Sequence, residues 1–157
     1  MSTPMRQLIV AAIKTRLALI RVASDYNTDI GRKVTEWRSA PWQDIDVPGL
    51  DVRDTGDTMT EGSGTRTLHR LQVEILAMVK GDQGDVPTQM RGAIADLMAA
   101  IGTDSAWGLG TPDADNRHVT YSEPLSEEST EVVQDGKRIG AVKLVLAVNY
   151  ITNRWEA

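Results

Sequence analysis

The sequence predicts an α+β fold, in which a mainly antiparallel β-sheet has two amphipathic helices packed on it. Residues 68–79 and 139–151 have the two-residue periodicity of strands, whereas residues 5–24 and 87–101 repeat apolar side chains every three or four residues, as amphipathic helices do. An Asp-Gly pair at residues 135–136 precedes the last strand and is typical of a tight antiparallel hairpin. This set of elements is that of an α+β sandwich.

Both helices have recognisable boundaries. The first begins at Thr3-Pro4, because Thr is a common N-cap and Pro fits the first turn, and it ends near Ser24. The second begins at Pro87, preceded by either Asp85 or Val86 as the cap, and ends at Gly102, which we expect to be the C-cap. The apolar stripe of each helix predicts that both cover the sheet.

Two connections lack long periodic patterns. Residues 30–35 and 50–53 predict short strands separated by prolines. Residues 54–67 contain three glycines and several hydroxyl side chains, with Met59 as their one clearly apolar residue, and predict a flexible loop or a long hairpin tip. The acidic residues of this segment do not have the spacing of a calcium-binding loop.

Residues 68–79 predict the first long strand of the sheet. One face is apolar throughout, and the other becomes apolar beyond Glu74, so we expect the strand to end buried on both faces. His69 lies at the polar end of the strand, where we expect a surface residue rather than a general base.

The most continuously apolar segment, residues 139–151, predicts the central strand. We expect residues 129–134 to pair with it in an antiparallel hairpin, through a turn at residues 134–137. Residues 118–125 predict a weaker strand, placed at an edge or a strand end by Pro124. The fully apolar face of the central strand consists of Val142, Leu144, Leu146, Val148 and Tyr150.

The composition limits the classes of function. The chain has 157 residues, of which 41% are hydrophobic, and we expect a single domain over residues 1–157. A formal net charge of -5 argues against a surface that binds phosphates or anionic lipid, and the absence of cysteine excludes disulfides and thiolate chemistry. Lys14, Arg16 and Arg21 interrupt the first apolar stretch, so we expect a soluble protein without a signal peptide or a membrane span.

The sequence contains no pattern typical of catalysis. His69 and His118 do not have the spacing of metal ligands, and no paired-carboxylate or nucleophile motif is present. We therefore expect no catalytic residue, no metal and no cofactor, and a protein that is not an enzyme.

Contacts with partner proteins are expected from large side chains in loops and from the small outer surface of the second helix. Tryptophans in a Pro-containing loop either pack beneath the loop or serve as exposed anchors for a partner. The small helix residues, or the mixed second face of the central strand, would let a neighbouring helix or subunit approach closely. The candidate contact residues are Trp37, Trp42, Met59, Gly92, Ala99 and Trp107.

Five segments resemble the tail terminator proteins of tailed bacteriophages, that is, the lambda-type minor tail protein U group and its relatives in siphophages and Mu-like phages. The segments are RQLIVAAIKTRLALI, VPGLDV, HRLQVEILAMVKG, VPTQMRGAIADLMAAI and GAVKLVLAVNYITN. The resemblance covers most of the chain. Departures from it are the WRSAPWQD loop and residues 54–67.

The resemblance implies a structural role. Such proteins assemble as a hexameric ring on the head-proximal end of a finished tail tube, stop its polymerisation and provide a docking face for head-completion proteins. It implies that the partners are further copies of the chain, the tail tube protein and a head-completion or stopper protein. DNA would pass through the ring without sequence-specific binding. We expect the protein in the neck region of the virion tail, after assembly in the host cytoplasm, and not at a membrane.

Two alternatives remain open. One is another component of the head–tail connection: a stopper, an adaptor or a tube protein. The other is a monomeric enzyme or ligand-binding domain, with a pocket near Trp37, Trp42 and His118.

Overall fold

The computed structural model describes residues 2–81, 85–134 and 136–156. This part of the chain forms two α-helices and a five-stranded, mostly antiparallel sheet, which is an α+β arrangement. The elements in chain order are α1 (Met5–Leu17), β1 (Val34–Glu36), β2 (Gly49–Glu61), β3 (Arg66–Lys80), α2 (Val86–Thr103), β4 (His118–Gln134) and β5 (Lys137–Asn153).

The strands are arranged in the order β1-β2-β3-β5-β4. Only β1 and β2 are parallel, and they pair over Leu50–Val52, whereas all other pairs are antiparallel. As predicted, β5 is an inner strand, and its apolar face is buried opposite the apolar face of β3. Both helices pack on this face and enclose one main hydrophobic core.

The end of α1 differs from the prediction. The helix stops at Leu17 rather than near Ser24, because the amides of Leu19 and Ile20 bond to carbonyls three residues back and tighten the last turn. The backbone of Gly31 then lies directly against the helix end and donates to the carbonyl of Ile20 at 3.0 Å. At the other end, no side-chain hydrogen bond caps the helix, so the predicted Thr3 cap is wrong.

The start of α2 agrees with the start predicted from the sequence, whereas its end lies beyond the predicted end. Asp85 is the N-cap and accepts a hydrogen bond from the amide of Thr88 at 2.8 Å. The helix continues through Gly102 to Thr103, so Gly102 lies inside the last turn and is not the C-cap. The predicted turn before the helix includes residues 82–84, which lie outside the described residues.

The hairpin of β2 and β3 replaces the predicted loop at residues 54–67. β2 continues to Glu61 and β3 begins at Arg66. Of the two predicted alternatives, a flexible loop and a long hairpin tip, the backbone therefore forms the hairpin. The predicted strand at residues 30–35 is shorter: a 3-10 turn, Ile30–Arg32, precedes β1.

The last hairpin is longer than predicted. β4 is one continuous strand, not two, because bulges at Val119/Tyr121 and Pro124/Ser126 allow it to pair with β5 on both sides of the proline. Gly136 has a φ of 74°, as the predicted turn requires, whereas Asp135 lies outside the described residues. In the described part of the chain, no helix is long and apolar enough to span a membrane.

Candidate assembly surface

Two of the six predicted contact residues lie inside the subunit. Trp107 is only 4% exposed, and its indole N–H donates to Ser122 Oγ at 2.8 Å. The small helix surface at Gly92 faces the same chain, since a Cβ atom there would lie 3.2 Å from Asn27 Cβ and 3.3 Å from Thr28 Cγ2. These positions therefore serve packing within the subunit.

Trp42 is half-buried and covers one end of the open face of the sheet. It packs on a small cluster formed by Val47, Met78 and Ile139, and the guanidinium carbon of Arg38 lies 4.6 Å from its ring centroid. Of the two readings of this loop tryptophan, packing beneath the loop is the one that the structure supports.

Trp37, Met59 and Ala99 are on the surface. Trp37 is 53% exposed and has a φ of 49°, a left-handed conformation that is strained for a bulky side chain. It follows β1 directly and donates its backbone N–H to the carbonyl of Val52 at 3.1 Å, so it lies at the outer edge of β2.

Hydrogen bonds fix the exposed indole of Trp37. Its Nε1–H donates to Asp54 Oδ1 at 2.8 Å, and the same carboxylate forms an ion pair with Arg6. Burial alone would raise the pKa of Asp54, but the hydrogen bonds from Trp37 and Arg6 outweigh it and hold that pKa below its usual value. A groove of about 420 Å³ separates Trp37 from the first turn of α1, where Pro4 and Gln7 line it.

Sequence reasoning missed the most exposed large side chain, Trp155, which is 95% exposed. A turn after β5 holds it with a φ of 68°, since the amide of Arg154 donates to the carbonyl of Thr65 at 2.6 Å. Arg154 also forms an ion pair with Glu61. A tryptophan flanked by two charged residues, outside any periodic pattern, was the signal that could have identified this position.

Trp155 and Met59 border a second groove, of about 510 Å³, at the far end of β2. Met59 is 62% exposed. The groove also includes Thr60 and Thr67 and three charged residues: Glu61 and Arg154, which form an ion pair, and Glu156. Its lining therefore carries one net negative charge.

His69 does not lie at the surface as predicted. It is 2% exposed, and its Nε2 lies 2.8 Å from Thr152 Oγ1 while its Nδ1 lies 2.9 Å from Asp57 Oδ2. The Thr152 hydroxyl, the His69 imidazole and the Asp57 carboxylate are hydrogen-bonded in the order found in nucleophilic triads. Because Thr152 has no exposed surface, no substrate reaches the hydroxyl, and the network joins strands instead.

The network perturbs two pKa values. Burial alone would raise the pKa of Asp57, but hydrogen bonds from His69 and Tyr150 outweigh it and keep that pKa below its usual value. Burial, followed by the hydrogen bond to Asp57, raises the pKa of Tyr150. The carboxylate is therefore ionised and the phenol is neutral near neutral pH.

The proposed ligand pocket of Trp37, Trp42 and His118 does not form. Trp42 packs near Ile139, whereas His118 pairs with Ile151, and these two residues of β5 are 12 positions apart, about 40 Å in an extended strand. Among the described residues, no group of three or more acidic, His or Cys side chains could hold a metal ion.

The outer strand β4 presents a second exposed edge. Its acidic residues Glu127, Glu128 and Glu131 are at the surface, as expected of a solvated face. Four large apolar side chains of the same strand are also exposed: Tyr121, Leu125, Val132 and Val133.

Comparisons with known proteins give little further information. No protein-family model matches the chain, and no curated protein matches it. Among solved structures, the chain is similar to a chain of the "Virion of native gene transfer agent (GTA) particle", with a TM-score of 0.45 and 15% sequence identity over 89% of this chain and 92% of that chain.

Proposed function

We propose that this protein is a structural protein of a tailed phage or prophage, which forms a hexameric ring on the head-proximal end of the tail tube. The ring ends tube polymerisation and provides the docking surface for head-completion proteins. In this role the protein is not an enzyme and needs no cofactor, and it resides in the neck region of the tail.

One observation carries the proposal: the five segments that resemble tail terminators form the interior of the fold. They correspond to residues 6–20, 47–52, 69–81, 86–101 and 140–153, and thus to most of α1, α2, β3 and β5 and the start of β2. Most of their apolar residues meet in one core, and Val47 and Met78 belong to a second, smaller cluster. The resemblance therefore concerns a set of elements that fold together, rather than scattered similarities.

The edges of the sheet support assembly into a ring. A closed ring requires two different complementary surfaces on each subunit, placed so that each contacts a neighbour. The sheet has two unlike edges on opposite sides, β4 on one and β1 with the far half of β2 on the other, and both have exposed apolar side chains. The net charge of -5 is consistent with a ring that lets DNA pass without binding it.

Light scattering on the purified protein, alone and mixed with tail tubes, tests the proposal. A ring has six times the subunit mass of 17.2 kDa, or 6 × 17.2 = 103.2 kDa. In electron micrographs, the ring should cap one end of each tube. The free chain need not form the ring before it meets a tube, so the tube mixture is the decisive sample.

The result also separates the alternatives. A protein that polymerises into long tubes by itself is a tube component, and one that binds a connector but not the tube end is a stopper or adaptor. A monomer that never associates with tubes would contradict the proposal. The double variant Leu125→Asp/Val133→Asp is the matched control, since it places two charges on the exposed edge of β4 and should abolish the ring while leaving the melting temperature unchanged.

A further inference from the structure

The hydroxyl of Thr152 has more hydrogen-bond neighbours than its single proton can serve. The residue has no exposed surface. Its Oγ1 lies 2.8 Å from Nε2 of His69, 2.9 Å from the carbonyl oxygen of Asn153 and 3.2 Å from the carbonyl oxygen of Glu156. Both carbonyl oxygens only accept, so the hydroxyl proton lies toward them. The proton of the third contact therefore belongs to Nε2 of His69.

The other ring nitrogen of His69 also carries a proton. Nδ1 lies 2.9 Å from Oδ2 of Asp57, and the ionised carboxylate of Asp57 only accepts. With a proton on each nitrogen the ring is an imidazolium, which forms a buried ion pair with Asp57. The hydrogen bonds of the structure are thus those of the charged form of His69.

Loss of the Nε2 proton would change the bonds that Thr152 makes. Nε2 would then be an acceptor, and the hydroxyl at 2.8 Å would turn to donate to it. The carbonyl oxygens of Asn153 and Glu156 would face Oγ1 without a proton between them, which is repulsive. These carbonyls belong to the turn of residues 153–156, in which the amide of Glu156 donates to the carbonyl of Asn153 at 3.2 Å. Deprotonation of His69 therefore loosens this turn.

The turn of residues 153–156 carries the exposed Trp155, whose φ of 68° is strained for a large side chain. The start of the turn is fixed independently of His69, since Arg154 donates its amide to the carbonyl of Thr65 at 2.6 Å and forms an ion pair with Glu61. The last residue, Glu156, is held from the interior by the buried hydroxyl. The protonation of the imidazole thus acts on the half of the turn that contains Trp155.

We propose that His69 and Thr152 form a pH-sensitive switch, which fixes Trp155 at the surface when His69 is protonated and releases it when the proton is lost. The inference is independent of the proposed function, because it concerns the subunit alone. A partner that contacts Trp155 meets a rigid side chain at lower pH and a mobile one at higher pH, where binding costs more conformational entropy.

Charged and ionisable groups of three elements act on the network. Asp57 of β2 is ionised and bonds to the ring of His69, and Tyr150 of β5 is neutral and stacks on it. Arg6 of α1 interacts electrostatically with both Asp57 and Tyr150, and it pairs with Asp54 of β2. Of these groups, only an imidazole ordinarily titrates between about pH 5 and pH 8. A transition in this range therefore reports His69.

Nuclear magnetic resonance on the full chain tests the switch. Long-range proton–nitrogen spectra, recorded from about pH 5 to about pH 9, report the protons on each ring nitrogen of His69. Both nitrogens should be protonated at the low end, and the amide signals of Trp155 and Glu156 should titrate with the same midpoint as the ring. After correction for its intrinsic pH dependence, hydrogen exchange at the Glu156 amide should be about fivefold faster above the midpoint, as expected when one hydrogen bond is lost.

Two variants of Thr152 isolate the role of the hydroxyl. Thr152→Ser keeps the hydroxyl and should keep the coupled titration. Thr152→Val removes it, so the amide signals of Trp155 and Glu156 should no longer follow the titration of His69. The control is His118→Gln, which removes the other imidazole of the chain and should leave the coupled titration unchanged.

Three results would overturn the inference. The first is a His69 ring whose number of protons stays the same over this range, and the second is a titration of the ring without a matching change at residues 155 and 156. The third is a coupling that persists in Thr152→Val. The spectra of the wild type decide the first two points even if a Thr152 variant does not fold.

Discussion

The imidazole ring of His69 is stacked on the phenol ring of Tyr150, with ring centroids 4.2 Å apart and planes 11° from parallel. Both side chains bond to the same oxygen of Asp57, His69 at 2.9 Å and Tyr150 at 2.5 Å. An ionised carboxylate only accepts, so the proton of this bond lies on Nδ1 of His69. Three neighbouring strands, β2, β3 and β5, are thereby joined beneath the core face of the sheet.

The substitution Tyr150→Phe tests how much this hydrogen-bond network contributes to the free energy of unfolding. The substitution keeps the stacked ring and removes a hydrogen bond to a charged, buried group, which should lower the free energy of unfolding by about 1.5–3 kcal/mol. Urea denaturation measures this change. Tyr121→Phe, at an exposed position of β4, is the control and should change the stability by less than about 0.5 kcal/mol. Equal small effects would mean that the network does not stabilise the fold.

His69 also shows why the sequence did not reveal this network. Its position has the same parity as Leu71, so the alternation placed it on the core face, but the polar residues around it suggested solvent. Its partner Asp57 belongs to the segment predicted as a loop or hairpin tip. The hydrogen bond depends on the pairing of β2 with β3, which no local pattern encodes.

The same distinction, between local periodicity and pairing with a distant segment, decides which other elements could be predicted from the sequence. β3, β5 and α2 were predictable because burial gives them a local periodicity. The far half of β2 and the continuity of β4 were not, because these strands are ordered by backbone pairing with a neighbour rather than by apolar side chains of their own. At the candidate surface, Trp37 and Met59 are exposed, whereas the burial of Trp107 depends on contacts with a distant segment.

Asp46 should make the stability depend on acid pH. Its carboxylate accepts hydrogen bonds from Lys33 and from the amide of Gln43, with Arg38 beside it, and these groups lower its pKa to about 2. The folded pKa lies below the value of 3.8 in the unfolded chain, so the stabilisation is complete above that value and is lost as the pH falls toward 2.

The variant Asp46→Asn tests this linkage. The difference in unfolding free energy between the wild type and the variant should be largest above about pH 4 and should shrink as the pH falls toward 2. Urea denaturation across this range measures it, with Asp25→Asn, an exposed carboxylate, as the control. A difference that stays constant with pH would contradict the assigned pKa.

Gly140 should be essential for the close packing of α2 on β5. A Cβ atom at this position would lie 2.6 Å from Met90 Cγ and 2.9 Å from Val86 Cγ1. Gly140→Ala should therefore lower the stability by about 1–3 kcal/mol, although alanine normally strengthens a strand. The double variant Gly140→Ala/Met90→Ala should lose less than the sum of the two single variants, because the clash with Met90 is removed. A more stable Gly140→Ala variant would mean that the helix does not contact this glycine.

At Gly102 in α2, unlike at Gly140, an added side chain has room and should increase stability. A Cβ atom there would meet nothing within 4 Å, and the residue lies inside the helix. Gly102→Ala should raise the free energy of unfolding by about 0.5–1 kcal/mol, because glycine lowers the stability of a helix interior. Thermal or urea denaturation decides between this result and the loss of stability expected if Gly102 were the left-handed C-cap predicted from the sequence.

Trp107 and Trp155 have φ values of 60° and 68°, so both lie in the same strained backbone region. Comparing the two positions therefore separates the effect of side-chain contacts on stability from the effect of backbone strain. Trp107 is buried and bonds to Ser122, so Trp107→Ala should cost about 3–5 kcal/mol, as cavity-forming substitutions of large aromatic residues do. Trp155→Ala should change the stability by less than about 0.5 kcal/mol. Because the backbone strain is common to both positions, the difference measured by urea denaturation reports the contacts of the side chain. A large loss at Trp155 would show that this tryptophan stabilises the subunit, and its exposure would then no longer point to a partner.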